Sequence, residues 1–264
     1  MFTDQYGPWA IVAGASDGTG AAFADELGRR GINVVLVARR EPVLAEVADG
    51  LRAAHGVDTR TVVLDLSTPG AADQLAHATA DLEVGFLVYN AGADDQASYF
   101  LDTPLERLEA MVRRNCDTVF RVAHHFGTGM TARGRGGLVL VTSGAAWAGG
   151  TYLAIYGATK AFNLVLAESL WAEWREQGVD VQALVLGATD TPSLRRLLEE
   201  RGGSFGDLAD PHEVVVEGLA HLGDGPTWAI GMPDPGASPF GALSRRDAVL
   251  MISEGAAAMH ADTT

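Results

Sequence analysis

Tyr156 and Lys160 stand four residues apart in the run AIYGATKAFNL, thirteen residues after Ser143 and well downstream of Asn115. A tyrosine and a lysine at that spacing share one face of a helix, one turn apart. A free phenol titrates near 10, too high for easy proton exchange at neutral pH, and a neighbouring cation favours the phenolate. Such a pair can hand a proton to an oxygen that is gaining negative charge, while Ser143 orients and polarises that oxygen. Taken alone, the pair recurs by chance on many helices, and Ser143 in Thr-Ser-Gly also reads as a turn former. Asn115 is more telling. It lies on the apolar stripe Leu108, Met111, Val112, Val119, Val122 and Phe126, where an amide must find partners or destabilise the core. Cys116 beside it reads as a small buried residue. The seven histidines show no metal-ligand spacing, and we assign no metal.

A second group of chemically informative residues opens the chain. The apolar run 9–13 ends in Gly14-Ala15-Ser16-Asp17-Gly18-Thr19-Gly20, followed by a helical pattern. Gly14 permits a sharp exit from a strand, and Gly18 and Gly20 let a pyrophosphate approach the backbone at a helix N-terminus. The next apolar run closes on Ala38-Arg39-Arg40, where folds that bind NAD place an acidic residue to hold the ribose 2′-hydroxyl. Arginines there suit a 2′-phosphate instead, which points to NADP(H) over NAD(H). The bland alternative is a solvated basic start to the next helix. Asp65, followed by Leu66, closes the third run and can accept a hydrogen bond from an adenine amino group, or serve as a helix cap.

Parallel strands alternating with helices would bring these groups together. WAIVAGA (9–15), NVVLVA (33–38), TVVLDL (61–66), VGFLVYNAG (84–92), LVLVTSG (138–144), VQALVLG (181–187) and TWAIGM (227–232) read as seven strands. Most are apolar on both faces, as strands covered by helices on both sides must be. Helical spacing fills 18–30, 41–55, 105–126 and 156–177. The expected fold is α/β: a Rossmann-like, doubly wound, seven-stranded parallel sheet in one domain spanning 1–264, with ligands bound at the carboxyl ends of the strands. SRRDAVLMISEGAAAMH reads as a last, weakly amphipathic helix, with a tail from about 255 that frays.

Composition narrows the partners. A net charge of −15 repels phosphate backbones and anionic lipid, so neither nucleic acid nor membrane is an expected partner. No apolar run reaches the roughly 20 residues of a membrane helix, and MFTDQYGPWA does not resemble a signal peptide. A single cysteine leaves no internal disulfide framework, and the expected compartment is the cytoplasm.

The ordered set of motifs resembles the short-chain dehydrogenases/reductases. GASDGTG (14–20) is similar to their glycine motif, and Asn90-Ala91-Gly92 to their Asn-Ala-Gly element. Asn115, Ser143 and Tyr156-x-x-x-Lys160 follow in family order, and Gly187 to Thr191, with Thr189 between, resembles the Pro-Gly segment and its trailing threonine. The resemblance covers roughly residues 9–192. It implies hydride transfer between a nicotinamide cofactor and a ketone or secondary alcohol, with Tyr156 as proton donor and acceptor and Ser143 on the substrate oxygen. Lys160 would also bind the nicotinamide ribose, and Asn115 would hold a water linking Lys160 to solvent. The sequence departs from the pattern at Ala13, Thr19, Tyr89 and Leu186, none of which supplies a group to proton or hydride transfer.

Substrate choice is expected from loops 93–100, 145–153 and 192–210. Trp147, Tyr152 and Leu153 suggest a wall that accepts an apolar or ring-containing substrate, and 192–210 a mobile lid. Arg195 and Arg196 in that lid could grip an anion, although solvated helix charges are the simpler reading. The helices at 105–126 and 156–177 carry more apolar surface than one core stripe requires, which predicts a symmetric homodimer or a tetramer built from it. The rival reading is a silent dinucleotide-sensing or scaffold protein; such proteins usually lose the tyrosine or the lysine, and this chain keeps both.

Overall fold

The computed structural model describes residues 1–94, 96–204 and 206–232, together with 241, 243, 247, 249–251 and 254–255. Seven strands form one parallel sheet: β1 (Trp9–Ala13), β2 (Asn33–Ala38), β3 (Thr59–Val63), β4 (Val84–Tyr89), β5 (Gly136–Ser143), β6 (Val179–Leu186) and β7 (Thr227–Ala229). Their order is β3-β2-β1-β4-β5-β6-β7, so the winding reverses between β1 and β4. Loops leaving those two strands diverge there and open a crevice at the carboxyl edge of the sheet.

Alternation along the strands builds two cores. Ala10 and Val12 of β1 face α2 (Gly18–Arg29), α3 (Glu41–His55) and α9 (Pro211–Ala220), packing with Phe23, Leu44 and Val215. Ile11 and Ala13 face the other way, in the core that holds Val122 and Phe126 of α6 (Thr118–Arg133) and Leu164 of α7 (Ala154–Trp174). The central strands β1 and β4 are therefore apolar on both faces. Three short helices, α1 (Phe2–Tyr6), α4 (Ala71–Ala78) and α5 (Leu105–Val112), and α8 (Pro192–Arg201) are also present.

The doubly wound parallel sheet is as expected; several boundaries move. The helical run expected at 105–126 is broken: α5 ends at Val112, and Arg113–Asp117 widens into a π-helical turn before α6. β3 lies two to three residues earlier than the apolar pattern suggested, because Leu64 and Leu66 pack under the loop beyond it rather than in the strand. β7 is shorter than the run 227–232. The segment 192–210 is not loop throughout, since α8 occupies half of it: the Thr191 side chain accepts from Leu194 N, Pro192 sits in the first turn, and Gly202 ends the helix at φ +61°. The expected C-terminal helix and the tail beyond 255 fall largely outside the described residues.

Candidate active site

The glycine loop is held by contacts that only hydrogen side chains allow. Gly14 leaves β1 at φ +85°, and a Cβ on it would stand 2.9 Å from the Ala91 backbone. A Cβ on Gly20 would lie 1.9 Å from the Gly14 carbonyl oxygen, so the first turn of α2 sits directly on the loop. Asn90 Nδ2 donates to that same carbonyl at 3.2 Å, tying the β4 exit to the β1 exit. Asp17 occupies the N-cap of α2 but makes no side-chain cap; its carboxylate pairs instead with Arg40 Nη2 at 2.5 Å. The first N–H groups of α2 therefore keep their donors for an incoming anion.

Arg40 also donates to Ser16 Oγ at 3.1 Å. Arg39 is exposed on the cleft wall, and its charge reaches Asp65. Burial pushes the Asp65 carboxyl up, but hydrogen bonds from Ser67 Oγ (2.7 Å) and Ser67 N (2.9 Å), with Arg39 and Arg114 nearby, bring it below its ordinary value. These residues give the cleft a polar end in which Arg39 and Arg40 stand beside Asp17 and Asp65.

At the other end, Ser143 closes β5 and Tyr156 stands in the first turn of α7. The Tyr156 phenol is pushed above its ordinary value by burial and by Asp94, while the hydrogen bond with Ser143 and the charge of Arg114 oppose this. Lys160 Nζ lies 5.8 Å from the Tyr156 ring centroid and donates to the Val141 carbonyl at 2.9 Å. Only 3% of Lys160 is exposed, and burial, helped by Arg114 and opposed by Cys116, lowers its ammonium to about 7. The phenol is thus raised where the sequence reading expected it lowered, and the amine faces the strand and titrates near neutral pH. It is also the only lysine in the chain.

Asn115 is fully buried within the π turn. Its Nδ2 donates to Gly92 O (3.2 Å) and Thr159 Oγ1 (3.0 Å), and its Oδ1 accepts from Arg114 Nε (3.0 Å). Both amide hydrogens are thus spent inside the protein, so the side chain has an acceptor lone pair, not a donor, left to offer a water. The amide has found its partners, as its place on an apolar stripe demanded.

One cleft of about 990 Å³ joins the two ends. Gly14, Ser16, Asp17, Gly18 and Thr19 line it with Arg39, Arg40, Asp65 and Leu66. So do Asn90, Ala91 and Gly92, then Ser143, Tyr156 and Lys160, and finally Gly187, Thr189 and Thr191. Gly20 and Asn115 do not: they stand one layer behind, Gly20 against the Gly14 carbonyl and Asn115 bonded to Gly92 and Thr159. Leu153 lines the cleft as expected, whereas Tyr152 lies beside a smaller recess and donates to Tyr99 Oη, and Trp147 packs into the core. Arg195 is paired with Asp190 at 2.5 Å, and Arg196 alone of the two faces the cleft. Three charged cleft residues escaped the sequence reading: Arg114, and the pair Arg107–Asp94 at 3.3 Å. Charged residues on a helix or in a loop look solvated in a sequence, and nothing in the spacing of these three marks them.

The combination is that of a Rossmann-type oxidoreductase acting at a secondary alcohol or ketone. Residues 8–202 match the short chain dehydrogenase family model, and the chain belongs to that family. It is 37% identical over 225 residues to a 7beta-hydroxysteroid dehydrogenase of Collinsella aerofaciens, a match covering 83% of this chain and 84% of that protein. A solved structure described as giving structural and biochemical insights into 7beta-hydroxysteroid dehydrogenase stereoselectivity superposes with a TM-score of 0.87 at 32% identity, over 95% of this chain and 98% of the other. A short-chain dehydrogenase from Sphingobium yanoikuyae in complex with NADPH gives a TM-score of 0.74 at 30% identity, over 81% and 83% of the two chains. No helix among the described residues is long and apolar enough to cross a membrane.

Proposed function

We propose that the protein uses NADP(H) to interconvert a ring-containing secondary alcohol, of the hydroxysteroid type, and its ketone. The observation that carries this is the cleft itself, whose polar end holds Arg39 and whose opposite end sets Ser143 and Tyr156 against apolar residues. Ala97, Met111, Leu153, Leu194 and Leu197 supply that apolar wall, and the volume is at the upper end of the roughly 300–1,000 Å³ typical of small-molecule sites. The relatives named for hydroxysteroids support the ring-containing class, and the NADPH-bound relative supports the cofactor.

The cofactor, when bound, supplies or takes up the hydride. Arg39 and Arg40 would hold the adenosine end, and the uncapped N–H groups at the start of α2 would take the pyrophosphate. Ser143 orients the substrate oxygen. Tyr156 gives that oxygen a proton in reduction and removes it in oxidation. Lys160, near neutral and behind the phenol, exchanges the proton onward, and Asn115 holds Gly92 and Thr159 so that Lys160 keeps its place. Steroid ketones and alcohols offered with NADPH or NADP, followed by nicotinamide absorbance, test the assignment. Turnover of at least one steroid is expected, and activity confined to small aliphatic carbonyls would overturn it.

We also propose a symmetric homodimer or a tetramer built from it. Leu105 and Val112 of α5, Phe120 of α6, and Phe162 and Val165 of α7 are exposed. Trp174, also on α7, packs against Gly127 and the core, so changing it would damage the fold instead. Val165→Glu is the better probe, at 59% exposure. Light scattering is expected to give a multiple of the 27.7 kDa chain mass for the native protein and a smaller assembly for the variant. A monomeric native protein would rule the assembly out.

A further inference from the structure

We propose that Arg114 is a positioning residue of this site, locking the Asn115 amide and placing a permanent cation beside the Tyr156–Lys160 pair. The inference rests on the catalytic reading above. It starts from the π turn, where Arg114 reaches in three directions. Its Nε donates to Asn115 Oδ1 at 3.0 Å, its Nη2 donates to the Ala93 carbonyl at 2.8 Å, and its own carbonyl accepts from Tyr89 Oη at 2.7 Å. One residue thereby joins the end of β4, the backbone just past Gly92 and the buried asparagine.

The first consequence is orientation. With Oδ1 committed to a guanidinium, which can only donate, Asn115 must turn Nδ2 towards Gly92 O and Thr159 Oγ1. The Thr159 hydroxyl in turn donates to the Tyr156 carbonyl at 2.9 Å, on the turn that carries the phenol. The clamp therefore extends from the cleft wall to the first turns of α7.

The second consequence is electrostatic. A point at the Cβ position of Gly92 would be 3.0 Å from Asn115 Oδ1 and 3.2 Å from Lys160 Nζ, so only the thickness of one glycine separates the group Arg114 binds from the amine. Other charges face the same space. Asp65 follows β3; Asp94, paired with Arg107 of α5, lies in the loop after β4; Tyr89 ends β4; Tyr156 is on α7; Cys116 and Arg113 are in the π turn, Arg113 donating to Ser67 O. Among these, Arg114 opposes the ammonium of Lys160 and favours the phenolate of Tyr156. An arginine does not titrate in the working range, so this bias is constant with pH. Both effects favour release of the proton, and both groups should titrate higher without it.

Because Lys160 is the only lysine, protein labelled with isotopic lysine gives one side-chain signal whose titration is read directly by NMR, without substrate or cofactor. Arg114→Gln and Arg114→Met are each expected to raise its midpoint from about 7 by about half a unit or more. The pH profile of turnover should move up by the same amount in both. Arg114→Lys, which keeps the charge, should leave the profile close to the native one. Should Arg114→Met fail to fold, Arg114→Gln, which retains a donor, carries the comparison. A midpoint unchanged in the neutral variants, or an Arg114→Lys profile displaced as far as theirs, overturns the proposal. If no alcohol or ketone is turned over, the catalytic reading fails, and the lysine titration still decides whether Arg114 acts on Lys160.

Discussion

Replacing Tyr156 by phenylalanine is expected to lower turnover by about 10²–10⁴-fold, the usual worth of a positioned general acid. The ring is retained and only the hydroxyl goes, so packing is conserved. What is lost is the hydrogen bond with Ser143 and the proton that the substrate oxygen needs. Cofactor affinity should hold nearly unchanged, because the glycine loop and Arg39 are on the far side of the cleft. Steady-state rates together with a fluorescence titration of the cofactor separate the two effects. A variant retaining more than about a tenth of the native rate would show that the proton comes from elsewhere.

The next largest effect belongs to Arg39. Arg40 is already engaged, by Asp17 at 2.5 Å and Ser16 at 3.1 Å, so part of its charge is spent on holding the glycine loop. Arg39 is the more available of the two, and no carboxylate stands at the neighbouring Ala38. One charge-assisted contact is worth roughly 1.5–3 kcal/mol, which corresponds to about ten- to a hundredfold in affinity. Arg39→Ala is therefore expected to remove most of the preference for NADP(H), with NAD(H) affinity little altered. Parallel titrations of both cofactors into native and variant protein measure this. Equal affinity for the two cofactors in the native protein would contradict the assignment at the outset.

How far the sequence disclosed this arrangement depends on the kind of signal. β2 and α3 lie where the pattern put them, Asn33–Ala38 and Glu41–His55. There an unbroken apolar run is followed by a helix with proline in its first turn and Gly56 in the left-handed conformation at its end. The cleft residues were legible for a different reason, since their types and order are tied to one another along the chain. The π turn was not legible, because widening a helix by one residue leaves the apolar stripe almost intact while it redirects Arg114. Trp147 was misplaced for the converse reason: an aromatic residue in a loop after a strand can turn to either side, and only the packing around α7 decides. Helix α8 was legible only in part: Arg195 and Arg196 read as solvated helix charges, yet the charge-rich segment around them read as a mobile loop.

Thr191 has an effect beyond its own helix. It caps α8 through Leu194 N at 3.3 Å, and its methyl carbon lies 2.9 Å from where a Cβ on Gly18 would be. At the other end of α8, Arg201 donates to Gln96 O (2.6 Å) and Ser98 Oγ (3.1 Å) in the loop after β4. The helix that walls the substrate side is therefore fastened at one end to the glycine loop and at the other to the opposite rim. On the proposed function, substrate scope and cofactor handling would not be separable modules in this chain. An exchange of residues 191–201 made to admit a different alcohol would also reset the loop on which the dinucleotide rests.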